Sequence, residues 1–248
     1  MGATGTVAAM RVNEHGQPIG DPVEGWSRRP RPGRSALTGR LGSVVPIEDH
    51  HVPALFDALA VHAPEHLWTY MPVGPFPTLA DFEGFLAAFQ ALPDAEPMAI
   101  LDADGRPVGH AMYLRIDEAN GSAEVGAIAF SPALQRTALA TEAMVLMARH
   151  VFEDLGYRRY EWKCDALNQP SLDAATRLGF TFEGTFRQAM VNKGRNRDTS
   201  WLSITDGEWA QLRPAFDAWL DPANFDEDGA QRTALSTLTR AALAPSRV

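Results

Sequence analysis

The stretch FSPALQRTALATEAM, residues 130 to 144, has the residue types of an anion-binding helix start. It reads as the end of a strand, a turn of small side chains and then a helix. The first N–H groups of a helix have no partner within it and lie at the positive end of its dipole, so the amides from 136 to 140 are placed to bind phosphate groups. Ala138 and Ala140 leave room for such a ligand, although they lack the positive-φ freedom of glycine. A second interpretation stays open, in which these small residues only pack the helix on a sheet.

Two glutamates in strand-like segments are candidates for proton transfer. The segment YRRYEWKCD alternates, so Glu161 and Lys163 share one face while Tyr160 and Trp162 share the other. Glu124 lies in the preceding strand-like segment, SAEVGAIAF. A carboxylate in a cleft can act as a general base, whereas a carboxylate in a surface ion pair has only a structural role. Both interpretations apply to each glutamate.

The overall charge limits the kinds of partner that the protein can bind. The chain has 248 residues and a formal net charge of −9 at pH 7. A protein that binds phosphate backbones needs a basic surface that releases counterions, so this charge argues against a nucleic-acid-binding protein. A cationic or amine-bearing partner agrees better with it.

Cysteine usage and hydropathy limit the compartment and the metal content. The single cysteine, Cys164, excludes an internal disulfide framework. No cluster of cysteines or histidines has ligand spacing, so we expect no metal site. The first apolar run is too short for a signal peptide, and no stretch approaches the roughly 18 apolar residues of a membrane span. The sequence therefore predicts a cytoplasmic protein that does not bind membranes.

Three regions of the chain differ in composition. Residues 1–40 mix Gly, Pro and Arg with almost no periodicity, which predicts an extended arm anchored by Trp26. Residues 41–220 have regular apolar patterns and enough length for one core. Residues 221–248 combine an acidic linker with a helix that has one apolar face. That face needs a partner surface in its own domain or in a second subunit, so a homodimer is one expectation.

The periodicity from residue 41 onward predicts a mixed α/β fold. The predicted order is a strand, two helices, three strands, a helix, a strand, a helix and two strands. Thr78 is the predicted N-cap of the second helix, and Asp104-Gly105 is the predicted turn of a hairpin.

This order, together with three motifs, resembles the GNAT superfamily of acyl-CoA-dependent N-acetyltransferases, in particular its RimJ/RimL branch of ribosomal-protein N-terminal acetyltransferases. The first motif, Gln/Arg-x-x-Gly-x-Gly/Ala, stands here as Gln135-Arg136-Thr137-Ala138-Leu139-Ala140 and continues into Thr141. The second is Asn168-Gln169-Pro170-Ser171, with Gly179 eight residues after the serine, and the third is FTFEGTFRQAM before NKGRNRDTSW. The resemblance covers roughly residues 41 to 210 and implies a largely antiparallel, splayed central sheet flanked by helices.

The resemblance implies acetyl-CoA as a cosubstrate and places its binding residues. They are Ile128 and Phe130 on the strand, Gln135, Arg136, Thr137, Ala138, Leu139, Ala140 and Thr141 in the loop and helix start, and Asn168. Ser171 occupies the serine position of the branch motif and is the candidate general acid for the leaving thiolate. Its alternative role is that of a polar residue in the first turn of a helix.

The general base is harder to assign by resemblance. Some relatives carry a glutamate directly after the stretch that stands here as residues 186–189, but this chain has Met190 there, which cannot accept a proton. We therefore expect Glu161 to reach the acceptor cleft, with Glu124 as the second candidate. Asp198 and a water chain stay open as further alternatives.

The acceptor site is predicted from one loop rich in Pro and Gly. The segment EHLWTYMPVGPF places Trp68, Tyr70 and Phe76 between the two early helices, where relatives build the acceptor pocket. Aromatic residues in such loops also serve as core anchors, and both roles stay open.

Together these features predict an acetyl-CoA-dependent N-acetyltransferase that transfers the acetyl group directly to a primary amine, on a protein N-terminus or a small molecule. Two alternatives stay open. One is a catalytically silent acyl-CoA-binding regulatory module, suggested by the absence of the motif glycine, of the glutamate, and of the tyrosine that other branches carry where Ala175 stands here. The other is an enzyme with a different acyl group.

Overall fold

A computed structural model describes residues 11–32 and 35–244. Eight strands form one sheet: β1 (Leu37–Thr38), β2 (Ser43–Pro46), β3 (Glu96–Leu101), β4 (Pro107–Asp117), β5 (Ser122–Phe130), β6 (Arg159–Asp165), β7 (Thr181–Asn192) and β8 (Arg195–Thr205). The helices are α1 (Val52–Phe56), α2 (Leu79–Gln90), α3 (Ala138–Arg149), α4 (Gln169–Arg177), α5 (Asp206–Leu220) and α6 (Leu235–Leu243). A π-helical turn continues α1 over Asp57–Val61 and another continues α3 over His150–Asp154.

The strand order in the sheet is β1-β2-β3-β4-β5-β6-β8-β7. Every neighbouring pair is antiparallel except β5 and β6, which are parallel because α3 crosses over between them. The predicted mixed α/β fold with a largely antiparallel sheet flanked by helices is therefore confirmed.

Strands β5 and β6 pair over only part of their length. Their register runs from Ser122 opposite Arg159 to Val125 opposite Trp162 and then stops, although both strands continue. Ala127 has a φ of 45° and lies where the β4–β5 register shifts, which is the geometry of a bulge. Since a bulge bends its strand, β5 turns away from β6 and leaves a gap, called here the splay.

The two faces of the sheet carry two apolar cores. The larger core packs α3, α4 and α5 against residues such as Val125, Tyr160 and Trp162. The smaller core packs α1 and α2 against Met112 and neighbouring residues of the other face. Glu124, Glu161 and Lys163 alternate with residues of the larger core, so they lie on the face of the smaller core.

Local capping explains where several helices begin. The Thr78 side chain accepts a hydrogen bond from the Asp81 amide, which confirms the predicted N-cap of α2. Thr205 and Glu208 form a second capping box that begins α5. The order predicted from the sequence ends with two strands and lacks this helix.

The N-terminal arm is fixed to the turn between β4 and β5. The Trp26 indole donates a hydrogen bond of 2.9 Å to the Ala119 carbonyl, and its ring lies directly against Gly121. Arg31 also donates to the Ala95 carbonyl at 3.0 Å, so the predicted anchor Trp26 does not act alone. Further along, β1 lies within residues 1–40 and pairs with β2.

The C-terminal helix finds its partner surface within its own domain. Helix α6 packs on α5 and α4, and Leu235 and Thr239 are buried there. The Thr239 hydroxyl donates to the carbonyl of Arg177 at 3.2 Å. The apolar face of α6 is thus covered without a second subunit.

Candidate active site

The turn after β5 leaves three amides free at the start of α3. Thr137 is the N-cap, and its hydroxyl accepts from the Ala140 amide at 3.1 Å, while the Thr137 amide donates to Leu134 at 3.3 Å. The amides of Arg136, Ala138 and Leu139 have no hydrogen-bond partner in the described part of the chain. Arg136 has a φ of 62°, which turns the backbone before the helix. Three N–H groups are therefore available to an anion at the positive end of the helix dipole.

Several predicted cofactor residues hold this turn in place through their side chains. Gln135 Nε2 donates to the Phe130 carbonyl at 2.8 Å, and the Thr141 hydroxyl accepts from Arg177 at 2.7 Å. The side chains of Ile128 and Phe130 pack against the larger core. These contacts fix the loop on the end of β5, beside the splay.

The candidate acid lies at the start of α4, across from the end of β6. Asn168 is the N-cap, and its side chain accepts from the Ser171 amide at 3.2 Å. The Trp162 indole donates to Ser171 Oγ at 3.0 Å. Because indole is only a donor, it occupies a lone pair of the oxygen and leaves the hydroxyl proton free to point elsewhere. Burial raises the pKa of the neighbouring Cys164 thiol, whereas the Ser171 hydroxyl lowers it.

Glu124 is 4% exposed and lies where the pairing of β5 with β6 ends. Its Oε2 atom is 2.9 Å from Lys163 Nζ and 3.6 Å from Arg115 Nε. Burial raises the pKa of Glu124, the charges of Lys163 and Arg115 lower it, and Glu161 raises it. A buried carboxyl with a raised pKa beside a gap between strands is a candidate for proton transfer.

Glu161 lies opposite Glu124 in the parallel register, but its surroundings differ. Its Oε1 atom accepts from Arg159 Nε at 2.7 Å, and its Oε2 atom is 3.7 Å from Arg115 Nε. Arg159 continues the chain of charges to Glu183, which accepts both of its Nη groups at 2.6 Å. Both oxygens of Glu161 thus face guanidinium groups.

Arg115 and Trp201 complete this charged cluster, and neither was predicted from the sequence. The Arg115 guanidinium lies 4.7 Å and Lys163 Nζ lies 5.1 Å from the centre of the Trp201 ring. Arg115 has a φ of 49° and stands at a register shift of β4, so a bulge directs its side chain. The available signal was a lone arginine within the apolar run PVGHAMYLRID.

The three predicted substrate residues have different surroundings. Trp68 is 1% exposed, and its indole donates to the Leu59 carbonyl at 3.1 Å. The Phe76 ring packs edge-on against it, with the ring centres 4.9 Å apart. Tyr70 and Phe76 are half-buried, and Trp68 has the contacts of a core anchor.

The tip of the β7–β8 hairpin contacts the same aromatic loop. Lys193 Nζ donates to the Trp68 carbonyl at 2.7 Å, and Arg197 donates to the Tyr70 carbonyl at 3.5 Å. These cations therefore hold the backbone of the aromatic loop.

An open depression of about 780 Å³ lies beside β7, where its register with β8 shifts between Phe186 and Met190. It is lined by Phe186, Arg187, Gln188, Ala189, Asn196 and Asp198. The Phe186 ring lies 5.1 Å from Trp201, so the depression adjoins the charged cluster. Hydrogen bonds from the Gln188 amide and the Asn196 side chain lower the pKa of Asp198, which weakens it as a base.

Neither a metal cluster nor a membrane-spanning helix is found in residues 11–32 and 35–244. No three His, Cys, Asp or Glu side chains converge there on a point that a metal ion could occupy. None of the described helices has both the length and the apolar character needed to cross a bilayer.

Comparison with known proteins identifies the family. The model of the acetyltransferase (GNAT) domain matches residues 43–181, which is more than half of the chain. A GCN5-related N-acetyltransferase from Brucella melitensis is 43% identical, with a TM-score of 0.84 over 88% of this chain and 99% of that chain. A probable acetyltransferase of the GNAT family from Chromobacterium violaceum is 39% identical, with a TM-score of 0.74 over 78% of this chain and 98% of that chain.

The resemblance to the RimJ/RimL branch receives less support. RimL, a ribosomal L7/L12 alpha-N-protein acetyltransferase, is 19% identical, with a TM-score of 0.61 over 69% of this chain and 94% of that chain. At this identity the likeness shows a shared fold alone. No curated protein matches the sequence. The family model and the two more similar structures show that the chain belongs to the GNAT family of acetyltransferases and is an enzyme of that family.

Proposed function

We propose that this protein is an acetyl-CoA-dependent N-acetyltransferase that moves the acetyl group directly to a primary amine, without a covalent enzyme intermediate. The observation that supports it is the arrangement around the splay. Three free amides lie at the start of α3, beside the splay. The buried Glu124 carboxylate lies where β5 and β6 separate. An anionic cosubstrate and an amine can thus approach one gap from two sides.

The residues at the α3 start fit the phosphate groups of CoA. The amides of Arg136, Ala138 and Leu139 would bind the pyrophosphate, because they have no hydrogen-bond partner among the described residues. The small side chains at positions 138 and 140 leave room for it. Thr137 and Gln135 hold the loop in this shape, and Asn168 with the strand residues Ile128 and Phe130 would line the remainder. When bound, acetyl-CoA supplies a thioester whose carbonyl carbon accepts the amine and whose thiolate leaves.

Glu124 is the proposed general base, ahead of Glu161. Its position beside the splay and its raised pKa suit it to take a proton from the acceptor ammonium. Glu161 lies opposite it on β6, but both of its oxygens face arginines that stay protonated. Glu161 would hold Arg115 and Arg159 in place, and it stays the second candidate.

Ser171 is the proposed general acid for the leaving thiolate. The Trp162 indole donates to its oxygen, so the hydroxyl proton is left for donation, to the Cys164 sulfur in the free protein and to the leaving sulfur during transfer. A hydroxyl that accepts one hydrogen bond donates its own proton more readily, because hydrogen bonds in a chain polarise each other. The proton would pass from Ser171 Oγ to the sulfur as the thioester bond breaks.

The acceptor is proposed to be a protein N-terminus, as in the RimJ/RimL branch, or a small amine. Tyr70 and Phe76 would line its site, while Trp68 supports them from the core. The negative net charge favours a cationic acceptor over nucleic acid. The cytoplasmic location stays a prediction. The homodimer also stays a prediction, since the apolar face of α6 is covered within the chain and does not require a second subunit.

A panel of amines with acetyl-CoA tests the proposal, with released thiol as the readout. It should contain monoamines, diamines, aminoacyl amides and short peptides with free N-termini. We expect turnover of at least one class, and Glu124→Gln should lower kcat/KM for it by about 10²-fold or more. Acetyl-CoA binding by calorimetry without turnover of any amine would instead support the silent acyl-CoA-binding module, which the family assignment does not favour.

A further inference from the structure

Lys163 is the closest charged partner of Glu124. It stands two residues after Glu161 on β6, one position beyond the last residue paired with β5. Its Nζ atom is 2.9 Å from Glu124 Oε2 and lies over the face of Trp201, the residue opposite Lys163 on β8. The ring therefore supports the ammonium group from below while the carboxylate binds it from the side.

The second oxygen of Glu124 is directed along β5 toward the splay. Oε1 makes no hydrogen bond within the described ranges, and it occupies the space beside Gly126. A Cβ atom at position 126 would lie 2.6 Å from Oε1 and 2.8 Å from Leu114 Cδ1. Glycine at 126 therefore leaves the room that this oxygen needs.

We infer that Lys163 is the positioning residue of the base: it binds Oε2 of Glu124 and leaves Oε1 to receive the proton of the acceptor ammonium. This inference rests on the proposed function, in which Glu124 is the base. Lys163 does not touch the acceptor in this scheme and acts only through Glu124.

The pKa of Glu124 depends on all the charged groups that face it. Arg115 faces it from β4, and Glu161 and Lys163 face it from β6. Lys163 is the nearest cation and Arg115 is 0.7 Å further from the same oxygen, at 3.6 Å against 2.9 Å. Removing either cation should make Glu124 bind its proton more tightly, and Lys163 should have the larger effect because Coulomb attraction falls with distance.

The experiment titrates Glu124 directly in the full-length protein. ¹³C-labelled glutamate carboxyl signals are followed by NMR against pH, and the Glu124 signal is assigned by its loss in Glu124→Gln. In Lys163→Met we expect the midpoint to rise by about one pH unit, in Arg115→Met by less, and in Lys163→Arg by nearly nothing. Arg106→Met, in the exposed β3–β4 turn, is the matched control for loss of one positive charge.

The same variants are assayed for kcat/KM against pH with the best amine of the panel. In Lys163→Met, the acid limb of the kcat/KM profile should move to higher pH by as much as the NMR midpoint does. In Lys163→Arg, it should lie at its position in the parent. A midpoint that stays at the parent value in Lys163→Met, whatever its loss of thermal stability, would overturn the inference. A midpoint that rises without any movement of the acid limb would refute Glu124 as the base and leave the role of Lys163 toward Glu124 standing.

Should Lys163→Met fail to fold, Lys163→Gln replaces it, with the same expected direction. Gly126→Ala supplies an independent test of the position of Oε1. It should lower kcat/KM in the parent but have little further effect in Glu124→Gln, because the added methyl group acts through that carboxylate. Equal losses in both backgrounds would count against the assigned position of Oε1.

Discussion

His110 should make the stability of the protein depend on pH between about 6.5 and 4. It lies on β4 with no exposed surface, 5.7 Å from Phe85 and 6.4 Å from Phe82 between ring centres. Neither ring nitrogen makes a hydrogen bond in the described part of the chain. Burial lowers the pKa of His110 from 6.5 to about 4, and the nearby Ala127 backbone opposes this shift only in part.

The sign and the size follow from proton linkage. The unfolded chain takes up a proton at His110 below pH 6.5, whereas the folded chain does so only near pH 4, so folding stability falls as the pH falls through this window. The full difference between the unfolded and folded pKa values of His110 corresponds to about 3 kcal/mol of folding free energy, at roughly 1.4 kcal/mol per pKa unit. Between pH 7.5 and pH 5 we expect a loss of about 2 kcal/mol from this residue.

The assay compares the parent with His110→Leu in urea unfolding at pH 7.5, 6 and 5. Leucine has a similar volume and no polar atoms, so it removes the titration without losing a hydrogen bond. Glu124, with its raised pKa, gives a dependence of opposite sign that is common to both proteins and cancels in the difference. The parent should lose about 2 kcal/mol more than the variant between pH 7.5 and 5.

Equal losses in the two proteins would refute this reasoning. If His110→Leu does not fold, NMR of the histidine ring protons in the parent gives a second test. The His110 signal should not shift between pH 7.5 and 5.5, and a midpoint near 6.5 would show that the ring is accessible to water.

Ala138→Tyr should weaken acetyl-CoA binding in calorimetry because a bulky ring would crowd the free amides, whereas Ala133→Tyr, on the exposed turn, should not; equal affinities would move the phosphate site elsewhere. Ser171→Ala should lower kcat by about 10²-fold with acetyl-CoA affinity nearly intact, and a loss below about threefold would make it a helix-start residue only. Trp26→Ala should lower the free energy of unfolding by about 1–3 kcal/mol, since the arm loses its contacts with Ala119 and Gly121. Trp26→Phe should keep part of this stability. An unchanged urea midpoint in Trp26→Ala would show that the arm does not stabilise the β4–β5 turn.

Much of the local structure followed from the sequence because it depends on neighbouring residues. The N-cap at Thr78, the strand from Ser122 to Phe130 and the helix start after it are set by side chains within one or two turns of each other. The alternation that separates Glu161 from Trp162 is a property of any strand. Helix α5 was missed although Thr205 and Glu208 form a capping box, and the sequence signal for it was therefore present.

The long-range parts of the site depended on the tertiary structure. The place where β5 and β6 separate is set by the bulge at Ala127 and by pairing with β4, which no periodicity within β5 reveals. Alternation put Glu161 on the correct face, but only the strand register shows that two guanidinium groups face it, whereas Lys163 holds Glu124. Arg115 enters the cluster because a bulge turns it, against the alternation of its strand. The sequence alone determined the chemistry available at the splay, and the fold decided which charged groups surround each carboxylate there, because register and bulges join residues that are distant in the chain.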